Sequence, residues 1–165
     1  MKARKASRSS RGGGRAATTK VRRILHPSDF SPASRTAFAK AVAMAKADQA
    51  ELLVTHVLAF PTPILSDGYI SPTIYDDLMR SMRADGQKQL DKLVAKAKAG
   101  GARARGLLLE GMPADAINRA ARSQRADVIV IGTHGRTGLA RLFMGSVAER
   151  VVGGAPCPVL SVRGR

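Results

Sequence analysis

A glycine-rich segment beginning at Gly132 combines the residue types needed to hold a phosphate group. Gly132 and Gly135 are followed, after nine intervening residues, by Gly145 and Ser146. Glycine has no Cβ and adopts positive φ readily, so backbone amides at such positions can approach a ligand closely. A helix that begins at Gly145 and Ser146 would add unpaired N–H groups and a dipole that favours an anion. Each glycine alone is typical of an ordinary turn, but the combined spacing favours a phosphate-binding loop.

Polar side chains in the same segment extend this interpretation. The Ser146 hydroxyl can donate to a phosphate oxygen or cap the helix, and His134 lies inside the glycine loop. Arg136 and Arg141 either neutralise a triphosphate or are simply solvated. The segment has no G-x-x-x-x-G-K-[ST] pattern, which excludes a P-loop, and no G-x-G-x-x-G follows the first strand, which excludes the common dinucleotide motif.

The elements that must position this loop alternate between short apolar runs and helical periodicity. Strands are predicted at 21–26, 52–57, 104–109, 128–131 and 158–162. Helices are predicted from Ser31-Pro32, over 73–99 with Gly86 as a weak point, after Gly111-Met112-Pro113, and from Gly145-Ser146 to the Gly153-Gly154 pair. This alternation predicts an α/β fold with a mostly parallel sheet, helices on both faces and right-handed crossovers.

Ligands of such sheets bind at the carboxyl ends of the strands. Besides the glycine loop, this rule points to Pro27-Ser28-Asp29 after the first strand and to 110–113 after the third. The Asp29 carboxylate can accept hydrogen bonds from a ribose or a base, hold a metal, or cap the following helix. These roles stay open at the level of sequence.

The arrangement Gly132-x2-Gly135-x9-Gly145-Ser146 resembles the ATP-binding signature of the universal stress protein family. Further runs are similar to that family's usual wording, at 24–31, 53–57, 111–117, 127–138, 145–152 and 157–162, so that the resemblance covers about residues 21–163. It implies a single-domain, Rossmann-like open sheet of five parallel strands in the order 3-2-1-4-5, with an adenine nucleotide at its carboxyl edge.

The resemblance also implies roles for individual residues. Those on the adenine and ribose side would be Pro27, Ser28, Asp29, Val57, Ile131 and Gly132, with Val57 touching the adenine edge through its backbone. Those holding the phosphates would be Gly135, Gly145, Ser146 and Val147, to which the loop adds His134 and Arg136. The expected ligand is ATP, with Mg or Mn, and the expected assembly is a homodimer joined through the strand Pro158–Val162.

The formal net charge of +16 is divided between residues 1–20, which carry +7, and the rest of the chain, which carries +9 over predicted helix surfaces. Residues 1–20 carry seven basic side chains and no acidic one, which predicts a disordered basic tail before a domain at 21–163. Such a tail favours weak, non-specific nucleic-acid contact. Cys157 is the single cysteine and is interpreted as a small core residue. Without an apolar run of about 20 residues or a secretory h-region, we expect a cytoplasmic protein with no membrane contact.

Catalysis is not expected, although slow ATP hydrolysis stays open. The chain shows no metal-binding histidine spacing and no nucleophile elbow, and His26 and His56 are interpreted as structural imidazoles. The predicted function is that of an ATP-binding sensor or regulator in a stress response. Two alternatives are a flavodoxin-like carrier, favoured by Ser28, Ser31 and Ser34 with Phe30 nearby, and a nucleic-acid-binding protein that uses the tail.

Overall fold

Strands and helices alternate throughout the part of the chain that the computed structural model describes, residues 20–59, 72–133 and 145–163. The strands are β1 (Arg23–Pro27), β2 (Glu51–Leu58), β3 (Arg103–Glu110), β4 (Val128–Gly132) and β5 (Val159–Val162). The helices are α1 (Pro32–Asp48), α2 (Pro72–Ala99), α3 (Pro113–Ser123) and α4 (Ser146–Gly154). The predicted α/β alternation is therefore confirmed.

The five strands form one parallel sheet in the order β3-β2-β1-β4-β5. The central strand β1 pairs with β2, where Arg23 lies opposite Glu51, and with β4, where Ile24 lies opposite Val128. The sheet order implied by the resemblance is confirmed. Because β2 and β3 lie on one side of β1 and β4 and β5 on the other, the strand order reverses between β1 and β4.

Side-chain alternation along the buried strands divides the core into two layers. Ile24 and Val54 pack with residues of α1 and α2 on one face of the sheet, whereas Leu25 and Ile129 pack with α3 and α4 on the other. The half-buried Cys157 belongs to the second layer, as its interpretation as a core residue requires. Burial raises the pKa of its thiol, and the nearby Asp127 carboxylate adds to this effect.

Helix α1 begins as its sequence predicts. Ser31 is the N-cap, its Oγ accepts a hydrogen bond from the Ser34 N–H at 3.2 Å, and Pro32 occupies the first turn. The helix ends at Gln49, whose left-handed backbone (φ 55°) directs its N–H back to the last-turn carbonyl oxygens. The Ser31 N-cap fixes where α1 starts relative to the carboxyl end of β1.

The structure corrects several predicted boundaries. Pro27, Glu110 and Gly132 are the last residues of their strands rather than the first residues after them, and the Gly153-Gly154 pair forms the last turn of α4. Helix α2 continues through Gly86 without a break. A Cβ at Gly86 would lie 3.0 Å from Leu58 Cδ2, so the glycine is explained by close packing of α2 on β2.

Charged residues hold the amino edge of the sheet together. The Asp127 carboxylate accepts hydrogen bonds from the backbone N–H groups of Arg22 and Arg23 at 2.7 and 2.8 Å. Glu51 forms ion pairs with Arg23 at 3.3 Å and Arg105 at 2.7 Å. These groups lie opposite the carboxyl edge, so they stabilise the sheet without contributing to a ligand site there.

Within the described residues, no helix has the length and apolar character needed to cross a membrane. Residues 1–19 of the predicted tail lie outside the described residues, so the disordered tail stays a prediction.

Candidate functional site

A cavity of about 330 Å³ opens at the carboxyl edge of the sheet, where the strand order reverses between β1 and β4. This is the position at which open α/β sheets bind their ligands. The ends of β1, β2 and β4 and the first turns of α1, α3 and α4 surround it. Its described lining is Pro27, Ser28, Asp29, Ser34, Thr55, His56, Val57, Pro113, Ile117, Ile131, Gly132, Thr133, Gly145, Ser146, Val147 and Ala148.

Most of the residues singled out in the sequence meet at this cavity. Those that line it are Pro27, Ser28, Asp29, Val57, Ile131, Gly132, Gly145, Ser146 and Val147. The predicted residues His134, Gly135 and Arg136 lie outside the described residues, as does Arg141. The site prediction overlooked Ser34, Thr55, Ile117, Thr133 and Ala148, and it assigned no ligand contact to His56 or Pro113.

Ser28 connects the ends of β1 and β2 beneath the cavity. Its N–H donates to the Thr55 carbonyl oxygen at 2.8 Å, and its carbonyl oxygen accepts a hydrogen bond from His56 Nδ1 at 2.8 Å. Its Oγ lies 2.8 Å from Ser34 Oγ and accepts a bond from the Phe30 N–H at 3.2 Å. These contacts show that Ser28 shapes the cavity floor, with its hydroxyl largely engaged by the protein.

Asp29 supports the start of α1, which is one of the roles that its sequence position left open. One carboxylate oxygen accepts a hydrogen bond from the Ser31 N–H at 3.0 Å, which supports the start of α1. The same residue lines the cavity. Its local structural role therefore holds the carboxylate at the site, where it is the only acidic side chain of the described lining.

The reason first inferred for Gly132 is wrong in part. Among the described glycines, positive φ occurs at Gly101 and Gly111, not at Gly132. A Cβ at Gly132 would lie 3.1 Å from the Ala33 carbonyl oxygen. Glycine is therefore needed here so that β4 can pack closely against the start of α1.

The first turn of α4 forms another wall of the cavity. Gly145 is the N-cap, with extended backbone at φ −60° and ψ 145°, and its N–H donates to the Thr133 carbonyl oxygen at 2.6 Å. A glycine N-cap offers no side-chain acceptor, and among the described residues no side-chain hydrogen bond caps this helix, in contrast to Ser31 of α1. Ser146 is the first helical residue and not the N-cap, so of the two roles left open for its hydroxyl the structure does not support the helix cap. The uncapped first turn leaves backbone donors beside the cavity, which favours an anion.

Both strand histidines occupy structural positions, as the sequence analysis expects. Burial lowers the pKa of His26 to about 4, against smaller raising effects of the Val130 carbonyl and the Asp29 carboxylate. The neutral ring donates from Nδ1 to the Val130 carbonyl oxygen at 2.8 Å. The His56 ring packs on Phe30 at a centroid distance of 4.4 Å.

Thr55 was predicted only as part of the strand at 52–57, with no role in ligand binding. It belongs to a continuous apolar run in β2, its side chain is fully buried, and it lines the cavity. Within the described part of the chain, its Oγ1 has no hydrogen-bond partner. The one available signal in the sequence was a hydroxyl inside a strand that otherwise reads as core between Leu52 and Leu58.

The family follows from comparison of the whole chain with known proteins. Residues 20–163 match the model of the universal stress protein family. The chain belongs to this family. A universal stress protein of Thermus aquaticus is 39% identical over 140 residues, which cover 85% of this chain and 97% of that protein. One from Methanocaldococcus jannaschii is 36% identical over 142 residues, which cover 86% and 82%.

Solved structures of the family share the fold. UspA from Lactobacillus plantarum superposes with a TM-score of 0.74 at 26% identity, covering 87% of this chain and 99% of its own. An Arabidopsis thaliana family protein with AMP bound has a TM-score of 0.63 at 22% identity, with 87% and 92% covered. A universal stress protein in complex with cAMP has a TM-score of 0.63 at 23% identity, with 89% and 100% covered. At these identities, the last two support the fold alone.

Proposed function

We propose that this universal stress protein binds an adenine nucleotide, ATP, in the cavity at the β1–β4 switch point and acts as a nucleotide-dependent sensor or regulator. The observation that carries the proposal is that one cavity joins apolar walls to an uncapped helix N-terminus. Val57, Ile117 and Ile131 supply apolar surface, and the first turn of α4 supplies backbone donors. A nucleotide needs this combination, because its base is largely apolar on both faces and its phosphates are anionic.

The sheet sets the direction in which such a ligand would lie. Strands β2 and β4 flank β1, so their ends are about 10 Å apart. Phosphates at the start of α4, which follows β4, leave the β2 side of the cavity to the base. Val57 of β2 lies on that side of the lining, and α3, which carries Ile117, packs against β2 and β3 as well as α4. Binding of AMP and cAMP by fold relatives belongs to the same ligand class and supports the proposal.

Magnesium or manganese would enter together with the phosphates in this proposal. Asp29 is the only carboxylate of the described lining, and the described residues contain no cluster of three or more metal-ligating side chains. A divalent ion bound to a triphosphate already has oxygen ligands from the nucleotide and retains several waters. The protein residues then need to supply at most one further oxygen, and Asp29 fits that role.

We further propose binding without an efficient reaction. The titratable side chains in the described lining are Asp29 and His56, and each already contacts the backbone through a short hydrogen bond. A general base for hydrolysis must reach the attacking water within hydrogen-bond distance. The known contacts of both side chains serve the protein's own loops, which supports a binding role.

The flavodoxin-like alternative receives less support from the same geometry. Phe30, the aromatic residue on which it depended, packs on His56 and is not part of the described cavity lining. Apart from the imidazole of His56, that lining contains no aromatic ring that could stack on a flavin.

The nucleic-acid alternative depends on residues 1–20 and stays a hypothesis of weak, non-specific contact. A cytoplasmic location likewise stays a prediction.

We also propose a homodimer joined through β5, because this strand is an edge of the sheet and carries no charged side chain that opposes pairing. The other edge strand, β3, carries Arg103, Arg105 and Glu110, and Glu110 pairs with Arg83 of α2. Strand β5 contains no charged residue. Charged side chains on an edge oppose pairing with another chain, so β5 is the edge that favours it.

Titration of ATP into the wild type and into Gly145→Val tests nucleotide binding. The backbone of Gly145 is in a region open to every residue, so valine should leave α4 folded while its side chain crowds the phosphate end. We expect wild-type binding in the presence of magnesium and a loss of about tenfold or more for the variant. Isothermal titration calorimetry measures both affinities.

Gly153→Val is the matched control in the same helix. A Cβ at Gly153 meets nothing within 4 Å, and this residue does not line the cavity. The control should bind ATP as the wild type does. A wild type that binds no adenine nucleotide, or a Gly145→Val variant that binds ATP normally, contradicts the proposed function.

A further inference from the structure

The Thr55 hydroxyl lies in the cavity lining and forms no hydrogen bond with the described part of the protein. The side chain is fully buried, and Oγ1 has no hydrogen-bond partner within the described residues. Leaving a buried hydroxyl unpaired is unfavourable, so such groups normally have a partner in the functional state. Because Thr55 lines the cavity, a ligand can supply that partner.

The main chain of Thr55 fixes where this hydroxyl lies. Thr55 is opposite Pro27 in the β1–β2 register, and its carbonyl oxygen accepts the Ser28 N–H at 2.8 Å. The neighbouring Val54 packs in the α1 and α2 layer, so strand alternation directs the Thr55 side chain to the opposite face, that of α3 and α4. The hydroxyl therefore lies on the face of the sheet to which Ile117 of α3 also contributes.

We propose that Thr55 is a specificity-determining residue whose hydroxyl forms a hydrogen bond to the base of the bound nucleotide. The inference rests on the proposed function. Thr55 belongs to β2, two strands from the β4 end where α4 would hold the phosphates, and this separation places it at the base end. A threonine hydroxyl both donates and accepts, so it can satisfy the donor and acceptor groups on a purine edge. A phosphate ligand without a base leaves the hydroxyl unpaired.

Thr55→Val provides the test, because valine has nearly the same shape and lacks the hydroxyl. Two effects of opposite sign are expected. The ligand-free variant should be at least as stable as the wild type in thermal unfolding, since a buried unpaired polar group has been removed. Its affinity for ATP and for adenosine should fall about five- to tenfold. Thr55→Ser retains the hydroxyl and should bind both ligands more tightly than Thr55→Val.

Two further ligands separate the base from the rest of the nucleotide. Inorganic triphosphate has no base, so the wild type and Thr55→Val should bind it equally. The loss should persist with 2′-deoxy-ATP; if it disappears there, the hydroxyl contacts the ribose and the assignment to the base is overturned. Thr36→Val makes the same chemical change on α1, outside the cavity lining, and should bind ATP as the wild type does.

The outcomes distinguish this inference from the proposed function. If the wild type binds ATP and Thr55→Val binds it equally well, the Thr55 contact is wrong and the nucleotide site stands. If the wild type binds neither ATP nor adenosine, the proposed function fails first. A Thr55→Val variant that is markedly less stable without ligand contradicts the unpaired hydroxyl, because it shows that Oγ1 has a structural partner.

Discussion

His26 is the residue whose ionisation is most strongly affected by the fold. Its ring is fully buried between the β1–β4 ladder and Phe38, at a centroid distance of 5.7 Å from the phenyl ring. Nδ1 bonds the Val130 carbonyl oxygen, whereas Nε2 is buried without a partner in the described residues. The interior therefore accommodates the neutral imidazole and disfavours the charged form.

This burial predicts a loss of stability in mildly acidic solution. The folded-state pKa is about 4 and the unfolded value is 6.5, so the unfolded chain takes up the proton first as the pH falls. The contribution is fully present above about pH 6.5 and is lost as the pH falls toward 4, at about 1.36 kcal/mol per pH unit. The total effect is about 3 kcal/mol.

His26→Asn removes the titration and keeps an N–H donor near Val130. Urea unfolding of both proteins between pH 4.5 and 7.5 measures their free energies, and the difference between them cancels the carboxylate titrations that they share. We expect the wild type to lose more stability than the variant over this range. Parallel pH profiles would show that His26 does not titrate as the buried ring requires.

At the scale of elements, the contact between α2 and β3 depends on a glycine. A Cβ at Gly106 would lie 2.9 Å from Leu90 Cγ and 3.3 Å from Val94 Cγ2. Leu90 is fully buried, so it has little room to move. The helix therefore lies closer to the strand than an alanine would allow.

We expect Gly106→Ala to lower the free energy of unfolding by about 1–3 kcal/mol, the usual cost of overpacking a core. The loss should be smaller in a Leu90→Ala background, which makes room for the added methyl group. Gly153→Ala, where the new Cβ meets nothing within 4 Å, is the control and should leave stability unchanged or raise it by up to about 1 kcal/mol. Equal stability of Gly106→Ala and the wild type contradicts the close contact.

The helices and strands could be predicted from the sequence because each depends on the pattern of its own neighbouring residues. The apolar run in β4 indicated a buried strand, and the Ser31-Pro32 pair indicated the start of α1. The strand order was available from the family resemblance and not from periodicity, because β1 pairs with β4 across more than 100 residues. No local pattern specifies which distant strand occupies that edge.

The residues of the candidate site that lie at the ends of parallel strands could be predicted, because ligands of such sheets bind there. Asp29 and Gly132 follow from that rule alone. Ser34 and Ile117 come from two helices, and whether a helical residue faces a cavity depends on how the helix packs. Thr55 was missed because a threonine in a buried strand is also an ordinary β-sheet residue. Thr55 is distinguished by its Oγ1, which has no hydrogen-bond partner in the described residues, and only the structure shows this.

The proposed dimer would form through the β5 edge of the sheet, and the β4–β5 register shows which backbone groups of β5 point away from β4. The carbonyl oxygens of Pro158 and Val162 accept hydrogen bonds from the N–H groups of Ile129 in β4 and of Thr133, the residue that follows β4. Backbone groups alternate along a strand, so those of Leu160 also point to β4, whereas those of Val159 and Ser161 point outward. Proline at 161 therefore removes an outward donor, and proline at 160 breaks the protein's own sheet.

We expect the wild type to sediment as a dimer at tens of micromolar and Ser161→Pro to shift toward the monomer. The variant should keep a cooperative unfolding transition, because edge positions with outward N–H groups tolerate proline. Leu160→Pro should instead lose stability. Sedimentation equilibrium and thermal unfolding measure the two properties, and a wild type that remains monomeric refutes association through β5.

The central position of β1 also has a consequence for the order in which the chain is made. Strands β1, β2 and β3 are complete once Glu110 has been synthesised, but β1 still lacks its neighbour on the other side, which ends at Gly132. At about 5–20 residues per second, those 22 residues require roughly 1–4 s. For that interval on the ribosome, the strand that later lies in the middle of the sheet is an open, apolar edge. During this interval we expect β1 to be open to wrong pairing with other strands, which binding of a holding chaperone would prevent.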